Sequence, residues 1–178
     1  MGEIFLSPSR PFYQSVITMG LSPIPEDKYT EFACAQFERG NKKIMPDAVS
    51  EVYRRFDGVT SYLQRVMNVL YLNTGKGETC CKDMIDSAVN YILDLYTEYY
   101  ETLLAQMSEK QRNVFLAIAS ERRVKNISGG AFVRKYRLTS PSSVVSAIRG
   151  LMGKDLITTE SNEYYVYDLF FQLWLERK

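Results

Sequence analysis

The stretch that decides the fold is SGGAFVRKYRLTSPSSVVSAIRGLMGKDLITTESNEYYVYD, residues 128–168. Two glycines precede a short helical run, AFVRKY. Ser140 and Pro141 then supply an N-cap and a first-turn proline for a second helix, residues 141–154. Two β-prone runs, LITTE and YYVYD, follow on either side of a turn at SNE. This order predicts a helix-turn-helix followed by a two-stranded wing.

The flanks complete this unit. Upstream, Ser108 and Gln111 match the S-x-x-Q capping box, and VFLAIA gives the helix behind them an apolar face. Downstream, LFFQLWLER predicts a closing helix. We therefore expect residues 107–178 to form a winged helix-turn-helix domain with a small two-stranded β wing.

Residues 1–106 have a helical pattern, so the chain is predicted to be mainly α. Helices are expected within residues 12–19 and over residues 26–39, 46–56, 60–72 and 80–107. In the last of these, the helical period places five side chains on a core-facing or interface side: Ile92, Leu95, Tyr96, Tyr99 and Leu103.

The charge distribution separates the two parts. The whole chain carries 22 basic and 21 acidic side chains, a net charge of +1. Residues 1–106 hold 10 basic and 14 acidic side chains, which gives −4, whereas residues 107–178 hold 12 and 7, which gives +5. The near-neutral total is thus a cancellation between an acidic helical part and a basic winged-helix part.

Composition excludes several classes of protein. The 178 residues contain no histidine, which excludes Ser-His-Asp and Cys-His catalysis and zinc sites with histidine ligands. Cys34, Cys80 and Cys81 match neither a disulfide framework nor a CxxC pair. No apolar run approaches the roughly 18–20 residues of a membrane span. We expect a cytoplasmic protein with no catalytic residue, no metal site and no membrane span.

Several blocks together resemble a known family. They are RPFYQSVITMGLSPIPEDKYTEF (10–32), FDGVTSYLQRVMNVLY (56–71), SGGAFVRKYRLTSPSSVVSAIRGLMGKDLI (128–157) and EYYVYDLFFQLWL (163–175). In this order they resemble the C-terminal part of prokaryotic AAA+-type ATPases of the archaeal-ATPase and STAND-related group. The resemblance implies a P-loop core followed by a helical lid and a winged helix, so that residues 1–106 would be the lid-like region.

The P-loop itself is missing from the sequence. Its motif, G-x-x-x-x-G-K-[ST], surrounds phosphates with backbone amides and a lysine, while a hydroxyl holds magnesium. Neither Gly75-Lys76-Gly77 nor Gly129-Gly130 fits this motif. We expect that this chain alone does not hydrolyse ATP and binds no cofactor, and that ATP and Mg²⁺ belong to a complete relative. The chain would then be a fragment or a degenerate paralogue.

The resemblance also implies a nucleotide-facing set: Arg10, Gly58, Tyr62 and Gln64. The run GVTSYLQ resembles the family's G-x-P-x-Y-L-Q lid signature, with Thr60 in place of the proline. Alternatives stay open, because Arg10 could be a surface or packing residue and Gly58 a helix C-cap.

DNA-contact candidates come from the helix at 141–154 and its surroundings. Its inner stripe is predicted to consist of Val144, Val145, Ile148, Leu151 and Met152. The candidates for base or phosphate contact are Lys135, Arg137, Ser142, Ser143, Ser146, Arg149, Lys154 and, in the wing, Asn162. The alternative is that the serines suit a helix N-terminus and the charges form a solvated face.

Two functions follow from these observations. In the first, the chain is the non-catalytic C-terminal portion of an AAA+-type ATP-binding protein, and its winged helix engages DNA or a protein partner under the control of a nucleotide-binding core. In the second, it is a stand-alone winged-helix transcription regulator with a helical dimerisation bundle. A monomer with few phosphate contacts would bind DNA weakly, so useful DNA binding needs the core or an oligomer.

Overall fold

The computed structural model describes residues 22–178. Arg10 and the helix expected within residues 12–19 lie outside this range. Within it, the predicted fold class is confirmed: the chain is mainly helical and carries a winged helix domain with a two-stranded antiparallel wing.

Over residues 22–106, the first part is a bundle of five helices. They are α1 (Glu26–Arg39), α2 (Pro46–Arg55), α3 (Thr60–Asn73), α4 (Asp83–Leu95) and α5 (Thr97–Ala105). Two short strands, β1 (Lys43–Ile44) and β2 (Thr79–Cys80), pair in parallel. They tie the α1–α2 connection to the α3–α4 connection, and the apolar faces of the helices form the core between them.

The single helix predicted over 80–107 is wrong. Thr79 and Cys80 form a strand, and Tyr96 interrupts the helix with φ −97° and ψ 0°. Leu95 and Tyr99, predicted to face inward, are 63% and 56% exposed, whereas Tyr100 is buried. The prediction assumed one unbroken helix through Tyr96, so it placed the later side chains on the wrong face. It also could not foresee that the aromatic C-terminal helix would cover Tyr100, because that helix is distant in the sequence.

The second part has the winged-helix order. Its elements are α6 (Glu109–Glu121), α7 (Gly130–Lys135), α8 (Pro141–Met152), β3 (Ile157–Glu160), β4 (Glu163–Val166) and α9 (Leu169–Arg177). The predicted capping box forms, since Ser108 Oγ accepts from the Gln111 N–H at 3.3 Å and Gln111 Oε1 accepts from the Ser108 N–H at 3.2 Å. β3 and β4 pair around Ser161 and Asn162, both at positive φ, as a two-residue hairpin turn requires.

The inner stripe of α8 is narrower than predicted. Its buried residues are Val144, Ala147, Ile148 and Leu151. Val145 and Met152 are 45% and 38% exposed, because at 100° per residue both lie on the same edge of the helix, outside the arc that the four buried residues occupy. The prediction that these two side chains point inward is wrong.

The closing helix, α9, packs against both parts. The Phe171 ring stacks on Tyr100 of the bundle, with centroids 4.4 Å apart, and lies 5.0 Å from Phe115 of α6. Trp174 is buried and donates through Nε1 to Thr97 Oγ1 at 2.9 Å. One continuous core therefore joins the two parts, and the boundary placed at residue 107 stays a prediction.

Gly58 ends the α2 region in a tightly packed turn. Its φ is +68°, and its N–H donates to the Tyr53 carbonyl at 2.9 Å. A Cβ added there would lie 2.6 Å from Tyr53 Oη and 3.1 Å from Pro23 Cβ. The Tyr53 hydroxyl in turn donates to the Ile24 carbonyl at 2.6 Å, which holds the entering chain against this turn.

We predict that Phe171→Ala destabilises both parts together. The truncation leaves a cavity between Tyr100 and Phe115, so the free energy of unfolding should fall by about 3–5 kcal/mol. Amide hydrogen exchange should accelerate in α3 and α4 as well as in α6 and α8. Phe32→Ala, at a 58% exposed ring, is the control and should change stability by less than about 0.5 kcal/mol. Faster exchange confined to residues 107–178 would contradict the shared core.

Gly58→Ala should also lower stability. The alanine would be strained at positive φ and would clash with Tyr53, for a combined loss of about 2–4 kcal/mol. Gly77→Ala is the matched control, because Gly77 has φ +81° but no atom within 4 Å of an added Cβ. It should lose only about 1 kcal/mol. Equal losses in urea unfolding would show that packing at Gly58 contributes nothing beyond backbone strain.

Candidate nucleic-acid interface

Helix α8 begins with a serine cap. Ser140 Oγ accepts from the Ser143 N–H at 3.2 Å, and the Ser140 and Ser142 hydroxyl oxygens lie 3.1 Å apart. Pro141 occupies the first turn, where its missing N–H costs nothing. Ser142 and Ser146 are exposed, whereas Ser143 is half-buried. The cap therefore presents Ser142, more than Ser143, to a partner.

The exposed side of α8 combines polar and apolar groups. Its members recur at helical spacing: Ser142, Val145, Ser146, Arg149 and Met152. Lys154 is exposed just beyond the end of the helix. A guanidinium between small hydroxyls and two apolar side chains can contact base edges and phosphates, and it can equally pack on a protein surface.

The basic candidates differ in whether they are already paired. Arg137, Arg149 and Lys154 are exposed and form no ion pair with any carboxylate of residues 22–178. Lys135 Nζ lies 2.5 Å from Glu121 Oε1, which also accepts from the Tyr136 hydroxyl at 2.6 Å. Hydrogen bonds from Lys135 and Tyr136 lower the pKa of Glu121, and the bond to Glu121 raises the pKa of Lys135. Lys135 is therefore the least available of the four.

The wing is charge-balanced. Arg123 lies 3.7 Å from both Glu160 and Glu163, and Lys125 lies 3.4 Å from Glu163. The Arg123 guanidinium also covers the Tyr165 ring at 4.4 Å. Asn162 is exposed at the tip. This pairing was not predicted from the sequence. The basic run RRVK at residues 122–125, close to the acidic residues of the wing in the fold, was the signal that could have indicated it.

The nucleotide-facing candidates within the described residues have different surroundings. Gly58 is packed against Tyr53, as described above, and Gln64 is exposed. Tyr62 points into the junction with α9, where its hydroxyl oxygen accepts from the Leu169 N–H at 3.0 Å. Gly58 and Tyr62 therefore each have a local structural role, and these two residues do not share one set of contacts with Gln64.

A groove of about 1370 Å³ runs between the bundle and the winged helix. Six basic and six acidic side chains line it, so its charge favours neither a polyanion nor a polycation. The basic ones are Arg54, Arg55, Arg65, Arg122, Arg123 and Lys154, and the acidic ones are Asp57, Glu121, Asp155, Glu160, Asp168 and Glu176. Partly exposed tyrosines also line it, Tyr99 at 56% and Tyr167 at 61%.

Other chemistry has little support in the described residues. Burial raises the pKa of the Cys34 and Cys80 thiols, which disfavours their reactive thiolate forms. Residues 22–178 contain no group of three histidine, cysteine or acidic residues placed to hold a metal ion. Over the same range, none of the helices combines the length and apolarity that crossing a membrane demands.

Comparisons with known proteins agree with this architecture. A family model described as a probable winged helix domain matches residues 98–177, beginning within α5. The Walker-type ATPase PABY2304 of Pyrococcus abyssi has a similar structure, with a TM-score of 0.63 at 17% sequence identity. The similarity covers 96% of this chain and 47% of that chain. No curated protein matches the sequence.

These similarities concern the fold. The chain spans about half the length of the ATPase chain that it matches, and at 17% identity the match carries no residue roles. The resemblance seen in the sequence is thus supported as a likeness in fold to part of a Walker-type ATPase chain. The chain is a mainly helical protein whose C-terminal part is a winged helix domain.

Proposed function

We propose that the chain is the non-catalytic C-terminal region of an AAA+-type, STAND-related ATPase, and that its winged helix binds DNA. The observation that carries the DNA function is the exposed side of α8, where Arg149 lies between small hydroxyls and has no ion pair within residues 22–178. The similarity in fold to about half of a Walker-type ATPase chain supports the proposal that the chain is a region of such an ATPase.

In this proposal, nucleotide chemistry belongs to a core outside this chain. The sequence has no P-loop, so ATP and Mg²⁺ would be held by that core. The bundle would act as the lid, with the Gly58–Gln64 segment and Arg10 toward the core. The winged helix would respond to the nucleotide state through the bundle on which α9 packs.

The chemistry of DNA contact follows from the side chains on α8. Ser142 and Ser146 would donate to phosphates, and Arg149 would donate to the O6 and N7 acceptors of guanine. Val145 would contact a thymine methyl group. Arg137 and Lys154 would hold the backbone, whereas Lys135 would first have to leave Glu121. Asn162 is uncharged and the cations beside the wing are already paired, so the wing would contribute through hydrogen bonds from Asn162.

A protein partner is the second candidate. It is favoured by Val145 and Met152, two exposed apolar side chains on the same side of α8, and by a wing whose cations are already paired with Glu160 and Glu163. Apolar side chains flanking an arginine are typical of protein interfaces.

We predict that Arg149→Ala with Lys154→Ala weakens binding to a short DNA duplex about 10- to 100-fold, because the two cations together contribute about 1.4–2.7 kcal/mol of binding free energy. The slope of log K against log salt should fall by about 0.9, because Lys154 neutralises one phosphate in this proposal whereas Arg149 contacts a base. The matched control is Lys43→Ala with Lys76→Ala, which removes two exposed cations from the bundle. Fluorescence anisotropy from about 50 to 200 mM salt covers the informative range.

Three results are decisive for this prediction. If the control variant binds DNA about as tightly as the native chain, the result supports DNA binding through the exposed side of α8. Equal losses of affinity in the two double variants would indicate a non-specific charge effect. Absence of binding by the native chain at the lowest salt contradicts DNA engagement by this chain and favours the protein partner. Lys135→Ala should weaken binding less than Arg149→Ala, because its charge already pairs with Glu121.

A further inference from the structure

The point where the wing returns to the body of the protein has unusual contacts. Strand β4 ends at Val166 and helix α9 begins at Leu169. We call residues 167–169 the wing root. The first N–H groups of a helix have no partner within the helix, so the start of α9 must find acceptors elsewhere.

Asp168 supplies one acceptor and the bundle supplies the next. Asp168 Oδ1 accepts from the Phe170 N–H at 2.9 Å, as an N-cap does. The Leu169 N–H donates to the hydroxyl oxygen of Tyr62, which lies in the first turn of α3, at 3.0 Å. A residue 107 positions away in the sequence thus completes the cap of α9.

A second tyrosine of the bundle holds the other carboxylate oxygen. The Tyr100 hydroxyl donates to Asp168 Oδ2 at 2.9 Å. Burial raises the pKa of both Tyr62 and Tyr100, with the nearby Asp168 charge acting in the same direction, so both phenols keep their protons. Two neutral hydroxyls therefore hold the root: Tyr100 donates to Asp168, and Tyr62 accepts from Leu169 and donates at 3.5 Å toward the Tyr167 carbonyl and Asp168.

Ring packing determines where the Tyr62 hydroxyl lies. The Tyr62 ring meets Phe170 edge-on, with centroids 5.1 Å apart, and stacks near Phe56 at 6.0 Å. These contacts hold the ring between the bundle and the first turn of α9. Replacing the hydroxyl alone would leave this packing intact. It would remove the acceptor for Leu169 and the long hydrogen bonds, both 3.5 Å, that the hydroxyl donates toward the Tyr167 carbonyl and Asp168 Oδ1.

Beyond its root, the wing faces the bundle across open space. Thr158 and Tyr165 line the groove on the wing side, and Val59 and Tyr99 line it on the bundle side. The root lies where the two sides of the groove join, since Tyr62 and Asp168 also line it. The body of the winged helix holds the wing through the Val124–Tyr164 backbone pairing and through the buried side chains of Ile157 and Val166. The contacts at the root add a direct link between the wing and the bundle.

We propose that Tyr62 and Tyr100 are positioning residues for the wing, and that they set its distance from the bundle through the wing root. Tyr62 directly follows the exposed segment 59–61. A domain that contacts this segment would act on the wing through Tyr62, a consequence that rests on the proposed function. The positioning role itself requires neither DNA nor nucleotide.

The test measures the distance between two spin labels by double electron-electron resonance. One label is placed on Cys81, which is exposed on the bundle, and the other on Thr159→Cys, an exposed site in β3. Cys34→Ser leaves Cys81 as the reactive native thiol, because Cys80 is buried. The labelled chain should give one narrow distance peak. Tyr62→Phe should broaden it, and Tyr62→Phe with Tyr100→Phe should broaden it further.

Tyr91→Phe is the matched control, because Tyr91 is 52% exposed and lies on α4 away from the wing root. It should leave the peak unchanged. Thermal unfolding is recorded for each variant. A variant that loses stability while keeping the native peak, or a Tyr62→Phe peak identical to that of Tyr91→Phe, would overturn the positioning role. Since Tyr62→Phe preserves the ring, this single variant gives the answer even if the double variant does not fold. The distance measurement does not require DNA, so it tests the positioning role even if the chain does not bind DNA.

Discussion

The structure depends on the burial of the aromatic face of α9, the last helix in the chain. Phe170, Phe171 and Trp174 are almost fully buried, and a nine-residue helix cannot cover such side chains by itself. Phe56, Tyr62 and Tyr100 cover them from the bundle, and Phe115 covers them from the winged helix. Because apolar burial is the main driving force of folding, neither part can present a closed core without this helix.

This constraint also relates the candidate interface to the rest of the molecule. Helix α8 packs on α6 and presents Arg149 on its exposed side, while Lys154, just beyond the end of α8, lines the groove toward the bundle. The wing, by contrast, has its carboxylates neutralised by Arg123 and Lys125 and its root hydrogen-bonded to Tyr62. In the winged helix, Arg137, Arg149 and Lys154 are therefore available to a partner, whereas the cations beside the wing are not, and the wing root links the wing to the bundle.

Much of the fold was predictable because the sequence marks its helix ends with local signals. The Ser108 capping box, the Ser140-Pro141 start and the turn at 161–162 act through bonds within a few residues, and all three form as expected. The break at Tyr96 has no proline or glycine, and it accompanies the packing of Tyr100 under Phe171, so the local pattern predicted one continuous helix. At the candidate site, the types of side chain were predictable, but the pairing of Lys135 with Glu121 was not.

The sequence by itself determined the fold class, the order of elements in the winged helix, the division of charge between an acidic and a basic part, and the absence of a P-loop motif and of histidine from these residues. These properties depend on composition and on contacts between near neighbours in the chain. Only the tertiary structure decided which cations are paired with carboxylates, which faces of α5 and α8 are exposed, and that Tyr62 completes the cap of α9. Each of these depends on contacts between residues far apart in the chain, and helical periodicity carries no information about which distant surface will cover a given face.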